Sequence, residues 1–420
     1  MSSVKDSTRA SRVDFLPATV IDGRGDVGCP VVHFDFRVAR PTTTYLEIAK
    51  LLRDGGPSYF NTLAQGFWMV TSYRAVRDMF TRRDLFSSRS FDATNPDPDF
   101  QTIPTQFDGP EHLKYRRVLS PWFSARAIYA RESEIRAVAR RLVAEIAPSG
   151  GGDVVSRFCL RLSTEAYLLL IGQPTQHADQ IVAWLTDIFA GCAKKPGAVE
   201  PMKAALTALT EYYRDVMDHR RRHMRDPNTD FFTHLLTAKL DDRDLNQKEL
   251  DDICYGMTTT CLDPARALRY LLMHLASHED ERDRLNADMS LVPTAIEESL
   301  RYHPLVWSDA RKAIREEHFY GCQLRKGDMV LGVIAAANRD RSRYPDPDRF
   351  VIDRSPMPSD HLSFAAGPHK CLGLHLARME MKIGLEEWHA VIRAYVVDSA
   401  ELEKRGSQLS LPLKWVPPQN

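Results

Sequence analysis

Between residues 110 and 300 apolar side chains recur at i, i+3 and i+4, which predicts amphipathic helices over 135–147, 180–193 and 206–222 in particular. Strand-like alternation is sparse and short, confined to 67–71, 329–334 and 409–416, each bounded by glycine, proline or charged residues. The pattern predicts a mainly α fold with a minor β portion. Residues 339–368 follow neither period and are punctuated by proline. A long irregular stretch inside a compact domain is usually functional, and this one leads directly to Cys371.

No Gly/Ser/Pro-rich linker and no fixed-period repeat divides the chain, so the expected organisation is one large domain over 45–420 with 1–44 as an N-terminal extension packed on it. Lys plus Arg (56) cancel Asp plus Glu (56), which leaves no global field for nucleic acid or for an anionic membrane. Neither a leader-like start nor an apolar run of membrane-spanning length is present, so a cytoplasmic location with no membrane partner is expected. The seven cysteines are scattered without C-x-x-C spacing, which argues against a disulfide framework or a structural zinc site.

Gly23, Gly25 and Gly28 match the glycine spacing of a dinucleotide-binding turn. Pro30 and the β-branched pair Val31 and Val32 follow where the phosphate-binding helix would begin, so a glycine-rich turn is the better reading.

The most informative segment is Phe364-Ala365-Ala366-Gly367-Pro368-His369-Lys370-Cys371-Leu372-Gly373, followed by a helical stripe of Leu372, Leu376, Met379 and Ile383. Cysteine at a helix start meets unpaired backbone N–H groups and the positive end of the helix dipole, which predicts thiolate character at neutral pH. Gly367 and Gly373 remove side chains where the backbone turns sharply or lies against something flat. No set of further Cys or His ligands stands nearby for zinc, whereas haem iron brings the rest of its coordination in the macrocycle. No C-x-x-C-H is present, so such a haem would be held noncovalently, as haem b.

This segment resembles the haem-binding loop F-x-x-G-x-H-x-C-x-G of the cytochrome P-450 family, and the resemblance extends over roughly residues 45–417. It implies the cytochrome P-450 fold, with Cys371 as the axial ligand of haem b and Phe364 and Gly373 as cofactor contacts. Glu298 and Arg301 match the family's E-x-x-R pair, completed by an arginine for which Arg349 stands in place. His112 and Arg116, four residues apart and thus on one helix face, match propionate-binding positions together with Arg311 and His369. Further echoes are 337–340, 344–350 and the terminal Leu411-Pro412-Leu413, which in the family usually touches substrate.

The central helix departs from the family's A-G-x-[DE]-T. Here Thr260-Cys261-Leu262-Asp263-Pro264 replaces the glycine and lacks the threonine, with either Pro264 or Asp263 at the alcohol position. Pro264 has no N–H and so frees the carbonyl of Thr260, which predicts a kink. Thr260 and Asp263 are candidates for a rearranged proton relay beside Pro264; the plainer reading is a packed, kinked helix in which Thr260 bonds its own backbone.

The resemblance implies a monooxygenase acting on an apolar small molecule, with electrons from a separate ferredoxin and ferredoxin reductase. Lys114, Arg117 and Lys370 are candidates for the docking patch. The altered relay leaves open peroxide-driven oxidation, oxidative coupling or rearrangement, and a haem sensor is a third reading. Substrate contacts are expected within 86–105, 182–195, 306–307 and 408–411, whose aromatic and aliphatic mixture suits an apolar ligand.

Overall fold

The structure, a computed structural model, describes residues 13–16, 29–36, 42–98, 102–192, 197–405 and 409–417. The glycine turn at 23–28 lies outside the described residues, as do parts of the 1–44 extension and of the substrate stretches; Val31–His33, just beyond the turn, is a strand and not a helix.

The helices that build the site are labelled α1 (Gly109–Leu119), α2 (Glu132–Ile146), α3 (Leu160–Leu170), α4 (Ala178–Cys192), α5 (Val199–Arg222), α6 (Gln247–Thr260), α7 (Asp263–Ser277), α8 (Val292–Tyr302) and α9 (Leu374–Val391). The segments 135–147, 180–193 and 206–222 fall on α2, α4 and α5. Their apolar faces meet in one large core, where Ile135, Leu142, Leu185, Leu209, Leu268 and Ile383 are all buried. α9 lies within it, packed on α2, α7 and α8, so the helix that follows Cys371 is anchored on three sides.

A seven-stranded sheet runs in the order Asp14–Leu16, Val31–His33, Ser58–Asn61, Phe67–Val70, Met329–Gly332, Asp309–Ala313, Phe86–Ser87. Val330 pairs with Trp68 on one side and with Arg311 on the other, which fixes Arg311 in the sheet interior. Alternate residues of one strand feed two cores: Val330 packs in one cluster, Met329 and Leu331 in the other. A three-stranded sheet joins Tyr395–Val397, Pro412–Trp415 and Gly151–Asp153. The three expected strands are thus present with trimmed ends, but the β portion is larger than the sequence pattern suggests. Ser58–Asn61 is buried at every position and Asp309–Ala313 carries three charged residues, so neither shows alternation.

The central helix is interrupted outright. α6 stops at Thr260 and α7 restarts at Asp263 with Pro264 in its first turn, while the Cys261 amide makes a short-range bond to the Thr258 carbonyl at 3.2 Å. Among the described residues no helix is long and apolar enough to cross a membrane.

Candidate active site

Beneath the site Glu298 and Arg301, one turn apart on α8, pair at 2.7 Å with both side chains fully buried. The third member is Arg354, whose Nε lies 2.9 Å from Glu298 Oε2, and not Arg349. Arg349 is exposed and contributes only its carbonyl, which accepts from both Arg301 and Arg354. The turn at 346–349 aims that carbonyl inward, so the side chain points out. Arg301 also donates to the carbonyls of Asn338 and Pro347. The Asn338 side chain in turn holds the Leu362 amide at 2.7 Å and Ser363 Oγ at 2.8 Å. The buried charges thereby fix the start of the cysteine loop, and the irregular 339–368 stretch is the hydrogen-bonded support for it.

The loop closes where the Cys371 amide donates to the Phe364 carbonyl at 2.9 Å. It reverses through positive φ at Ala365 (56°) and Gly367 (69°). A Cβ at Gly367 would lie 3.1 Å from the Phe80 carbonyl oxygen and 3.2 Å from Thr81 Cα, so any other residue would crowd this backbone as well as adopt an unfavourable φ. Phe364 lies under the Arg378 guanidinium at 4.8 Å. Gly373 caps α9; its amide donates to the Cys371 thiol, and a Cβ there would meet nothing within 4 Å.

Cys371 keeps accessible surface, yet the protein packed around its sulfur strongly desolvates it. Burial pushes the thiol above its usual range, while the Gly373 amide pulls it down. Bound iron would supply the missing charge. Among the described residues no three His, Cys, Asp or Glu side chains converge, so any metal on this sulfur must bring its other ligands with it.

The four residues expected as cationic or hydrogen-bonding contacts are brought together. The His112 ring, on α1, stacks on that of His369 at 4.0 Å. Burial, then Arg116 next to it, holds His112 at about 4, and burial with His112, Arg311 and Arg116 holds His369 at about 3. Arg116 donates to the Lys370 carbonyl at 3.1 Å, and Arg311 to Asp309 at 2.9 Å while lying over the Phe80 ring. His369 Nδ1 is buried without a partner. His112, Arg311 and His369 line one cavity of about 340 Å³ with Phe80, Arg82 and Arg83. An unpaired buried nitrogen beside the guanidinium groups of Arg82, Arg83 and Arg311 suits a ligand with carboxylates, which is the fit that haem propionates require.

Of the relay candidates, Asp263 is close enough to raise the Cys371 thiol electrostatically. Its side chain is 41% exposed and pairs with Arg266 at 3.2 Å, yet the protein packed around it pushes its carboxyl up. Thr260 is exposed and donates to the carbonyls of Gly256 and Met257, both at 3.1 Å, the plainer of the two expected arrangements. Pro264 is buried and interrupts the helix. Two of the expected substrate contacts are committed elsewhere: Trp307 donates to the Tyr45 carbonyl and packs on Phe34, and Leu411 is fully buried in the main core. The sequence reading missed Arg354, Asn338 and Phe80; only Asn338 carried a signal, inside the 337–340 echo.

The family model for cytochrome P-450 matches residues 184–412. A probable cytochrome P-450 127A1 from Sinorhizobium fredii is 32% identical over 84% of each chain. The mycinamicin IV hydroxylase/epoxidase of Micromonospora griseorubida is 29% identical over 83% of this chain and 89% of its own. Among solved structures, the bottromycin biosynthetic protein SalCYP superposes with a TM-score of 0.81 at 25% identity, covering 95% of this chain and 100% of its own. A mutant EryK in complex with erythromycin B superposes at 0.78 with 26% identity, over 90% and 98%. With the cysteine loop, the cationic pocket beside it and the buried charge triad below, these matches establish that the chain belongs to the cytochrome P-450 family.

Proposed function

We propose that this chain inserts one oxygen atom from dioxygen into an apolar small molecule, with Cys371 as axial ligand of haem b, Asp263 as the proton-handling group, and electrons drawn from a separate ferredoxin and its reductase. The family assignment makes the chain a haem-thiolate monooxygenase, an oxidoreductase. The iron and its macrocycle supply the oxygen chemistry, with electron density from the thiolate favouring O–O cleavage.

The residues hold, orient and protonate. His112, Arg116, Arg311 and His369 would bind the propionates, and the bare Cα of Gly373 leaves room for a flat group against the loop. The Gly373 amide steadies the sulfur. Asp263, whose carboxyl burial holds above its ordinary range, is the group placed to pass a proton toward the Cys371 side. Thr260 gives its hydroxyl hydrogen to the Gly256 and Met257 carbonyls of its own helix, so the reading rests on Asp263. The observation that carries the proposal is that Asp263 lies near enough to act electrostatically on Cys371, whose sulfur takes the Gly373 amide, while His112, Arg311 and His369 line a cavity beside the same loop. Relatives named as hydroxylases and monooxygenases favour oxygen insertion over the peroxide-driven alternative.

The test is the spectrum of the reduced protein under carbon monoxide, beside its Cys371→His variant. A red-shifted Soret band in the parent that moves to the histidine-ligated position in the variant supports Cys371 as ligand; the same band in both overturns it. Asp263→Asn should raise peroxide release at the expense of product, and unchanged coupling would remove Asp263 from the relay.

A further inference from the structure

The interruption between α6 and α7 leaves the Cys261 carbonyl to be taken up from outside the helix. Ser163 Oγ, from α3, lies 2.7 Å from it, and the same hydroxyl oxygen is hydrogen-bonded to Glu380 Oε2 of α9. All of this is inside the protein: Ser163 is 1% exposed and Glu380 2%. A serine hydroxyl owns a single hydrogen and a carbonyl can only accept. The Ser163 hydrogen must therefore go to Cys261, since two bare acceptors at 2.7 Å would repel. The hydrogen between Ser163 and Glu380 must then come from the carboxyl group.

We propose that Glu380 is a neutral carboxylic acid in the working enzyme and a positioning residue: its O–H fixes Ser163, and Ser163 holds the Cys261 carbonyl out of the helix, setting Asp263, two residues on, toward Cys371. The positioning half rests on the relay reading given above for Asp263; the protonation half does not. Among the described residues no lysine or arginine pairs with Glu380, and Arg378 on the same helix is taken by Glu297 at 2.6 Å. Burial accordingly pushes the Glu380 carboxyl well above the carboxylate range, in agreement with the hydrogen count. The group that faces it besides Ser163 is the Cys261 thiol, which burial holds in the protonated form. α9 begins just after Cys371, so a single three-residue link joins the ligand-bearing segment, α3 and the helix interruption.

The first measurement is the infrared difference spectrum between the holoenzyme and its Glu380→Gln variant. The parent should show the carbonyl stretch of a protonated carboxylic acid at neutral pH. Loss of that band in the variant assigns it to Glu380; a carboxylate signature at neutral pH overturns the proposal. The second measurement is the ratio of peroxide to product in Ser163→Ala, Glu380→Leu, Glu380→Gln and Asp263→Asn, all with an intact carbon monoxide band. Glutamine keeps a donor toward Ser163 and should keep the parent ratio, whereas the alanine and leucine variants should raise it about tenfold, the lower end of what supporting residues cost around a metal site. If Asp263→Asn raises the ratio but Ser163→Ala and Glu380→Leu do not, the positioning role is overturned while the relay stands. If Asp263→Asn is silent, relay and positioning both fall, and the infrared band still decides whether Glu380 is neutral.

Discussion

Glu298 is the single acid between Arg301 and Arg354, and three charges in so dry a place are stable only because every one of them is paired and hydrogen-bonded. Removing Arg354 would strand Glu298 with one partner, so Arg354→Ala should cost about 3–5 kcal/mol in denaturant unfolding. Arg349→Ala keeps the carbonyl that the triad uses and should stay within about 0.5 kcal/mol of the parent; equal losses in the two variants would refute the assignment. Gly367→Ala meets backbone atoms of Phe80 and Thr81 at an unfavourable φ, and should lower stability by about 1–3 kcal/mol together with the haem retained after gel filtration. The contrast between Gly367 and Arg354 explains what was legible in the sequence. The loop from Phe364 to Gly373 is written as residue types at fixed offsets, because sulfur, turn and close approach each demand one kind of side chain. Arg354 and Arg349 are two arginines in an aperiodic stretch, and which one enters depends on how the backbone turns at 346–349.

At the scale of elements, α8 ends at His303, whose ring stacks on Tyr270 at 5.1 Å and is nearly parallel to it. Burial first, then Arg339, His274, Arg269 and Arg301, holds His303 well below the ordinary histidine value. Its folded form therefore stays neutral while the unfolded chain takes up a proton below about pH 6.5. The stability it contributes is whole above that pH and is lost as pH falls, at up to about 1.4 kcal/mol per unit. His303→Phe keeps a ring against Tyr270 and removes the proton, so Tm should fall less steeply between about pH 6.5 and 4.5 than in the parent. Part of the slope should remain, since His112 and His389 are also held down, to about 4 and about 3. Glu297 belongs to a separate window: burial alone would raise it, but Arg378 and His361 hold it at about 2, so its stability is lost only between about 4.5 and 2. An identical slope in the His303 variant would place the proton uptake elsewhere. The elements themselves were read unevenly. The helices declared themselves through long periodic faces, and Pro264 announced the interruption of the central one. Strands of three to five residues, buried on both sides or carrying charges, have too few positions to display a period.

For the whole molecule, a formal charge of zero means that no overall field steers an electron donor, so attraction must come from a local group of cations. Lys370 and Arg117 are both exposed, and the Arg116 bond to the Lys370 carbonyl brings their two segments together at the rim of the cysteine loop. Lys114 is on the same helix as Arg117 but is paired with Asp241, which spends much of its charge. These placements rank the three residues that sequence alone could only name together. With a ferredoxin as donor, the double variant Arg117→Glu and Lys370→Glu should raise KM for the ferredoxin about tenfold, the effect of ~1.4 kcal/mol in encounter and docking. The carbon monoxide spectrum and substrate binding should stay as in the parent. Because exposed charges are screened over a Debye length of about 8–10 Å, added salt should weaken the parent more than the double variant and bring the two together. Lys114→Glu should do less than either single change, and an equal or larger effect would move the docking surface toward the Asp241 side. No change in KM for any of them would mean that the donor approaches another face, and the ferredoxin reading would then have to be rebuilt from a different surface.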